Sequence, residues 1–362
     1  MLGPYFRSTG RMYRIRPWLF FFWLAWAGDL VVSRDRPRPA YTQEDPSSQY
    51  VCRGSLADHA ACQCKEDTGE LSCINAQFVD TDIFLNVNNH YKSLEKVTFH
   101  GNNFQDLPAT SLFGGVSHSR LWVLNISANY IVNLNPNALK GLPNLRILDL
   151  SNNEIVLKET DVDFLTHTPH LTELYLRRAF TQTLNRTIQF NLMMKMFQRA
   201  NLENLQVLDL SYNFLSTIPY DLPCPFPSLT RFDLRQNFMK TLHVNRTCLA
   251  NVNSLDLSRN QFFTLTPSFR ELASTLKENS LVLRNPYHCD CQSKDYVTWI
   301  RTTNVIRDRN SLVCDRASPL NYVGARLVEV PLHKLDCWVN LMAMSSFSLL
   351  PSLLIFLPTL FL

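Results

Sequence analysis

The sequence has little glycine and none of the short motifs that mark common enzyme sites. Only 10 of its 362 residues are glycine, and no glycine-rich loop is present that could cradle a phosphate. A His-Glu-x-x-His metal motif and a Gly-x-Ser-x-Gly nucleophile motif are also missing. The remaining serines, histidines and carboxylates are not spaced as a catalytic set. We therefore expect no enzyme and no cofactor, but a protein that acts by surface recognition.

Acidic and basic residues are equal in number once the amino terminus is removed. Four arginines between residues 7 and 16 precede the apolar run Trp18–Ala27, which ends in Ala-Trp-Ala, a small-x-small pattern that signal peptidase accepts. We predict that residues 1–27 are a cleaved secretory signal; an uncleaved signal anchor is the alternative. Cleavage reduces the 35 basic residues to 31, equal to the 31 acidic residues. Charge therefore gives no support for nucleic-acid binding.

The two ends of the mature chain have little globular character. Residues 28–51 are polar and rich in proline, and are predicted to be a flexible linker. The last 25 residues, 338–362, carry no charge and are long enough to span a bilayer. No basic residue follows them, and they contain Pro351 and Pro358. Small residues Ser345 and Ser346 before the apolar tail favour a removable lipid-anchor signal, although its usual polar spacer is missing.

These features predict a product attached through its C-terminus to the extracellular face of the plasma membrane. A retained membrane helix and a secreted protein are the alternatives. Ten cysteines in a secretory chain predict disulfides. They form one group before, one within and one after the central region: Cys52, Cys62, Cys64 and Cys73; Cys224 and Cys248; Cys289, Cys291, Cys314 and Cys337.

A repeat of 23 to 34 residues runs through the central region. Its first leucine-like positions are Leu94, Leu121, Leu145, Leu171, Leu205, Leu229 and Val252, with a degenerate unit around Leu281 and Leu283. This period and the pattern Leu-x-x-Leu-x-Leu-x-x-Asn predict leucine-rich repeats. The predicted fold is an α/β solenoid, a leucine-rich-repeat horseshoe with a parallel concave sheet and disulfide-bonded caps at both ends.

Cys224 and Cys248 lie 8 and 7 residues before equivalent strand positions of consecutive repeats. Neighbouring coils bring such positions within disulfide distance, so we predict that these two cysteines are bonded to each other. Two free buried thiols are the alternative.

The asparagine that ends each repeat strand is predicted to bond loop backbone inside the solenoid. One repeat has Ala179 in this slot and is followed by a step of 34 residues. We therefore predict a first repeat block at 94–178, an irregular, partly helical glycosylated insertion at 179–204 and a second block at 205–284. Asn125, Asn185 and Asn245 each start an Asn-x-Ser/Thr sequon and are predicted to carry glycans.

The flanking cysteine spacings, C-x9-C-x-C-x8-C and C-x-C-x22-C-x22-C, resemble the caps of extracellular leucine-rich-repeat proteins. The resemblance implies an N-terminal cap within 52–93, a C-terminal cap at 285–337, and the pairs Cys52–Cys64, Cys62–Cys73, Cys289–Cys314 and Cys291–Cys337. A zinc site at His288–Cys291 is the alternative to the C-terminal pairing.

The interrupted repeat array and the stretch "NPYHCDCQSKDYVTWIRTTNVIRDRNSLVC" resemble the trophoblast glycoprotein-like family, with Asp295, Val297, Thr298 and Trp299 in register. "LNIS" at 124–127 matches a sequon of the family's second repeat. The resemblance implies a cell-surface protein that inhibits Wnt signalling and affects adhesion or migration, with a Wnt co-receptor as a possible class of partner. An adhesion or guidance receptor resembling the Nogo-receptor group is the alternative.

The repeat register also predicts which side chains line the concave sheet. Four carboxylates occupy the slot between the second and third leucines of a repeat: Asp149, Asp209, Asp233 and Asp256. Neighbouring outward slots form a candidate protein-binding face: Tyr175, Arg177, Arg178, Tyr212, Arg231, Arg235, Arg259 and Arg284. Mutual neutralisation of the acidic and basic residues on a solvated sheet is the alternative.

Overall fold

The computed structural model of the chain describes residues 62–65, 67–90, 93–181 and 186–335. Several predicted features lie outside these ranges: the signal 1–27, the linker 28–51, Cys52, Asn185, Cys337 and the tail 338–362 with Ser345 and Ser346.

Ten short strands form one sheet in which each strand pairs with its neighbours in sequence order. They are β1 Gln63–Lys65, β2 Glu70–Ile74, β3 Lys96–His100, β4 Val123–Asn125, β5 Ile147–Asp149, β6 Glu173–Tyr175, β7 Val207–Asp209, β8 Arg231–Asp233, β9 Ser254–Asp256 and β10 Leu281–Val282. All pairings from β2 to β10 are parallel, as predicted, whereas β1 and β2 form an antiparallel hairpin that begins the sheet.

The leucines that define the repeats form the core between the sheet and the return segments. The first leucine-like residue of every complete repeat, from Leu94 to Val252, is at most 1% exposed. In the strands the central residue is buried and its two neighbours point outward, because side chains alternate along a strand. A single coil cannot bury these leucines, so the stacking of neighbouring coils stabilises the fold.

In the described ranges, four α-helices lie on the return segments or in the C-terminal cap. They are α1 Ile83–His90, α2 Arg186–Ala200, α3 Pro267–Ala273 and α4 Lys294–Thr302. Short 3₁₀-helices include Glu159–His167 in the coil before α2 and Arg246–Leu249 after Asn245. A second, two-stranded parallel sheet of β11 Tyr287–Cys289 and β12 Cys314–Ala317 forms the cap behind β10.

The insertion after the odd repeat is ordered as helix α2, where the described residues resume at Arg186. Its apolar side buries Leu192, Met193, Met196, Phe197 and Ala200 against the core, and it packs on the 3₁₀-helix Glu159–His167. These positions follow the spacing of one helix face. The predicted irregular insertion therefore contains a regular amphipathic helix of 15 residues.

Polar contacts fix how helix α2 sits on the preceding coil. The Gln189 side chain accepts from the Leu157 N–H at 2.8 Å and donates to the Leu157 carbonyl at 2.9 Å. Two surface ion pairs, Lys195–Glu159 at 3.1 Å and Arg199–Asp163 at 2.7 Å, lie on the same contact. The amide pairing gives the helix a defined register, whereas exposed ion pairs add little stability.

The repeat asparagines form a buried ladder that bonds each coil to the next. The Asn237 Oδ1 accepts the N–H groups of Asn213 and Leu215, and its Nδ2 donates to the carbonyls of Leu210 and Leu234. Equivalent buried contacts are made by Asn102, Asn129, Asn153, Asn213 and Asn260. The predicted scaffold role is thus present in the structure.

Three of the predicted disulfides lie wholly within the described residues and are present: Cys62–Cys73, Cys224–Cys248 and Cys289–Cys314. Cys64 and Cys291 are also disulfide-bonded, and the partner predicted for each, Cys52 or Cys337, lies outside the described ranges. These bonds exclude the free-thiol alternative for the middle pair and the zinc alternative at the C-terminal cap. Disulfides of this kind persist in oxidising compartments.

Candidate protein-binding face

The repeat geometry brings the predicted face together around strands β6 to β8. Outward residues of neighbouring strands are in register, so Tyr175 lies between Asp149 of β5 and Asp209 of β7. Arg231 occupies the first outward position of β8 and is exposed. Adjacent parallel strands are about 4.8 Å apart, so such residues form one continuous surface.

Tyr175 is held in place by its own strand. Its hydroxyl donates to the Glu173 carboxylate at 2.6 Å, and the ring is half-buried. Burial, followed by the hydrogen bond to Glu173, raises the pKa of Tyr175 to about 12, while the positive charge of Arg231 acts in the opposite direction. The side chain is therefore neutral at physiological pH. It offers a partner a rigid aromatic surface with its polar tip already bonded.

Arg177 and Tyr212 form a contact between two coils. The Arg177 guanidinium lies 4.3 Å from the centre of the Tyr212 ring, within cation–π distance. Tyr212 and Arg178 both have positive φ angles, 62° and 48°, because they sit in the tight turn before the asparagine slot. The pair bridges the odd repeat and the repeat after it, across the long step.

The four aspartates of the concave row bond backbone rather than neutralise the arginines. Each accepts the N–H of the residue two positions later: Ser151 at 2.9 Å, Ser211 at 2.8 Å, Arg235 at 3.1 Å and Ser258 at 2.9 Å. Only Asp233 has a described ion pair, with Arg235 at 3.3 Å. Burial and the neighbouring Asp209 raise the pKa of Asp233 to about 6. These carboxylates are mainly elements of the scaffold.

The remaining predicted arginines do not join the cluster around Tyr175. Arg259 lies in a turn with φ 54° and donates to Gln236 Oε1 at 3.3 Å. Arg284 follows β10 and pairs with Asp308 of the C-terminal cap at 3.5 Å. The structure thus divides the predicted set: Tyr175, Arg177, Tyr212 and Arg231 lie on neighbouring coils, whereas Arg284 belongs to the junction with the cap.

Two of the predicted glycosylation sites lie in the described residues. Asn125 is half-buried at the end of β4, where its Oδ1 accepts the Ser127 N–H and hydroxyl at 3.0 and 2.6 Å. Asn245 caps a 3₁₀-helix, and its Nδ2 donates to Asp221 at 3.3 Å. A glycan on Asn125 would project from the concave sheet. Glycosylation itself stays a prediction.

Two features of the site were not predicted. Asn285, which begins the C-terminal cap, adds one more rung to the asparagine ladder by accepting the Asn260 N–H at 2.7 Å. A row of aromatic residues also occupies the position directly after the asparagine slot: Tyr130, Phe180, Phe214 and Phe238. The repeat alignment contained this second signal, because the four residues share one slot.

Within the described ranges, no group of three or more His, Cys, Asp or Glu side chains is arranged to hold a metal ion. Nor does any helix in that part of the chain have the length and apolarity to cross a membrane.

Comparison with known proteins agrees with this geometry. The leucine rich repeat family models match residues 92–155, 144–167 and 204–225, on either side of helix α2. The crystal structure of human 5T4, also named Wnt-activated inhibitory factor 1 and trophoblast glycoprotein, superposes with a TM-score of 0.64 at 25% identity. It covers 77% of this chain, and the match takes in 99% of the 5T4 chain. The chain has a leucine-rich-repeat fold.

The sequence is also similar to those of trophoblast glycoproteins. That of Macaca fascicularis is 28% identical over 291 residues, covering 77% of this chain and 67% of the relative. Human Toll-like receptor 5 is 28% identical over 214 residues, covering 59% of this chain and 23% of the receptor. The first similarity extends well beyond the repeats matched by the family models. These relatives are a glycoprotein and a receptor, and not enzymes.

Proposed function

We propose that this protein is a cell-surface glycoprotein whose repeats bind a protein partner and thereby inhibit Wnt signalling. The observation that carries the proposal is the match to human 5T4 over 99% of that chain, because that protein bears the name Wnt-activated inhibitory factor 1. Six cysteines of the two caps are oxidised in the described part, which supports an extracellular site of action. A Wnt co-receptor is the partner class proposed.

The surface around Tyr175, Arg177, Tyr212 and Arg231 is the proposed centre of binding. Tyrosine and arginine contribute most of the free energy in many protein interfaces. Arg231 is exposed and has no ion pair in the described structure. Arg177 is exposed but stacked on Tyr212, so its side chain is already ordered before binding. This order lowers the entropy that association would cost.

A Wnt reporter assay in cells that express the full chain tests this proposal. Arg231→Glu and Arg177→Glu should each reduce inhibition at least several-fold at equal surface expression, because a reversed charge is placed at the contact. Lys240→Glu is the control, since it changes the same charge at an exposed position that makes no described side-chain contact. No inhibition by the wild-type chain would refute the Wnt role. Binding to neuronal or matrix ectodomains instead would favour the adhesion-receptor alternative.

Attachment through a lipid anchor is part of the same proposal. Treatment of intact cells with phosphatidylinositol-specific phospholipase C should release the protein into the medium. A chain that stays on the cells and still contains residues 347–362 would show that the tail is a retained membrane helix. In the anchored form the signal must pass through a transmembrane partner.

A further inference from the structure

A cleft opens where the odd repeat departs from the regular coil. It has a volume of about 550 Å³ and is lined by Tyr130, Glu154, Arg178, Phe180 and Phe214, among others. These residues come from four consecutive coils, at the edge where strands β4 to β7 end. The volume lies within the range of sites that hold a few side chains or a small ligand.

Three aromatic walls of this cleft remain accessible. Tyr130 is 58% exposed, and Phe180 and Phe214 are half-buried. Tyr130 and Phe214 both have φ angles of 57°, a conformation that is costly for a bulky residue. Phe214 also contacts Phe238, which is 43% exposed, with 5.6 Å between the ring centres. Clustered exposed aromatic residues at one edge of a soluble domain mark interaction sites more often than isolated ones do.

The cleft also contains one cation and one anion that are not paired. Within the described residues, the side chains of Arg178 and Glu154 make no ion pair or hydrogen bond, with each other or with another group. Both are exposed. A guanidinium beside apolar walls binds a carboxylate more strongly than one in open water, because the local dielectric constant is lower.

We propose that this cleft binds an extended peptide segment of a protein partner in which an acidic side chain neighbours a large apolar one. The acidic group pairs with Arg178, and the apolar side chain packs among Tyr130, Phe180 and Phe214. Glu154 accepts a backbone N–H or a basic side chain of the same segment. The inference rests on the proposed protein-binding role, but it uses a surface separate from Tyr175 and Arg231.

Fluorescence anisotropy with the complete secreted repeat region and its caps tests the proposal. The probes are labelled 12-residue peptides with a central Leu-Asp-Phe, and matched peptides with Leu-Lys-Phe. The aspartate peptides should bind at least tenfold more tightly, and Arg178→Glu should remove that preference. Arg259→Glu is the matched control, because Arg259 occupies the same repeat slot with the same turn conformation outside the cleft. It should change affinity less than twofold. Circular dichroism verifies that both variants fold.

A second variant tests the aromatic walls. Phe214→Ser should weaken the aspartate peptides about tenfold while the preference over lysine peptides remains. Equal binding of the two peptide sets, or equal losses in Arg178→Glu and Arg259→Glu, would overturn the proposal. Binding to glycans on an array, without binding to the peptides, would also overturn the proposal. If Arg178→Glu loses peptide binding but still inhibits Wnt signalling, the result supports peptide binding by the cleft and places the proposed Wnt contact elsewhere.

Discussion

Removal of a single ladder asparagine should strongly destabilise the second repeat block. Asn237 is 3% exposed and makes five hydrogen bonds to backbone, two as acceptor and three as donor, over 2.9 to 3.4 Å. Asn237→Ala leaves the N–H groups of Asn213 and Leu215 and the Leu210 carbonyl without a described partner. The carbonyls of Leu234 and Arg235 keep their bonds from Asn260 and Tyr212. No water can replace the amide without entering the core between two coils.

The size of this effect follows from the groups left unpaired. Each buried backbone group that loses its partner costs about 1–3 kcal/mol. The Leu210 carbonyl has a second lone pair and relaxes more easily, so the lower limit is the appropriate one for it. The three groups together give a loss of about 3–7 kcal/mol in the free energy of unfolding of this block, enough to abolish secretion of a marginally stable chain.

Urea denaturation followed by circular dichroism measures this loss on purified secreted protein. Asn251→Ala is the control, because Asn251 is exposed and makes one described side-chain donation, to the Pro227 carbonyl at 2.8 Å. It should cost less than about 1 kcal/mol. Similar midpoints for the two variants would refute the claim that the ladder holds the coils together. A second transition in Asn237→Ala would show that the block unfolds separately, as expected for a chain of nearest-neighbour contacts.

Three further predictions concern the same part of the chain and its surface. Replacement of both Cys224 and Cys248 by serine should lower stability by about 3 kcal/mol, because the bond closes a loop of 24 residues in the unfolded chain; non-reducing peptide mapping should find both cysteines bonded in the wild type. The pKa of Asp233 is raised from 3.8 to about 6, so its contribution to stability is largest below pH 4 and declines as the pH rises to 6. Asp233→Asn should flatten this decline and stabilise the protein by up to about 3 kcal/mol at pH 7, measured by thermal unfolding across pH. Glycopeptide mass spectrometry should find sugar at Asn125 and Asn245, and unmodified peptides at both would contradict the secretory assignment.

The repeat core could be predicted because each of its elements has a local signal. The leucine spacing determines which side chains point inward, and the period identifies the fold before any contact is known. The asparagines could be assigned to scaffold because a strand end inside a solenoid has backbone groups that need partners. The disulfide between Cys224 and Cys248 could be predicted because the two cysteines occupy equivalent positions in adjacent coils.

The binding surfaces were less predictable because they depend on distances between coils. Arg284 and Arg231 both occupy outward positions in the sequence pattern, but Arg284 pairs with Asp308 of the cap and does not join the tyrosines. The helical order of the insertion had a signal in the spacing of Leu192, Met196 and Ala200. The aromatic lining of the cleft had a signal in the shared slot of Tyr130, Phe180 and Phe214, but the volume of the cleft had none.

A backbone bridge keeps the coils connected at position 179, where the asparagine is missing. In a regular step the next asparagine accepts an N–H such as that of Leu215, but here the Ile155 N–H donates to the Ala179 carbonyl at 2.8 Å. The Thr181 N–H returns a bond to the Ile155 carbonyl at 3.3 Å, so a parallel bridge replaces the missing amide. The backbone then stays at the edge of the sheet for two more residues and displays Phe180 there. In this position Phe180 lines the cleft together with Phe214 and Arg178.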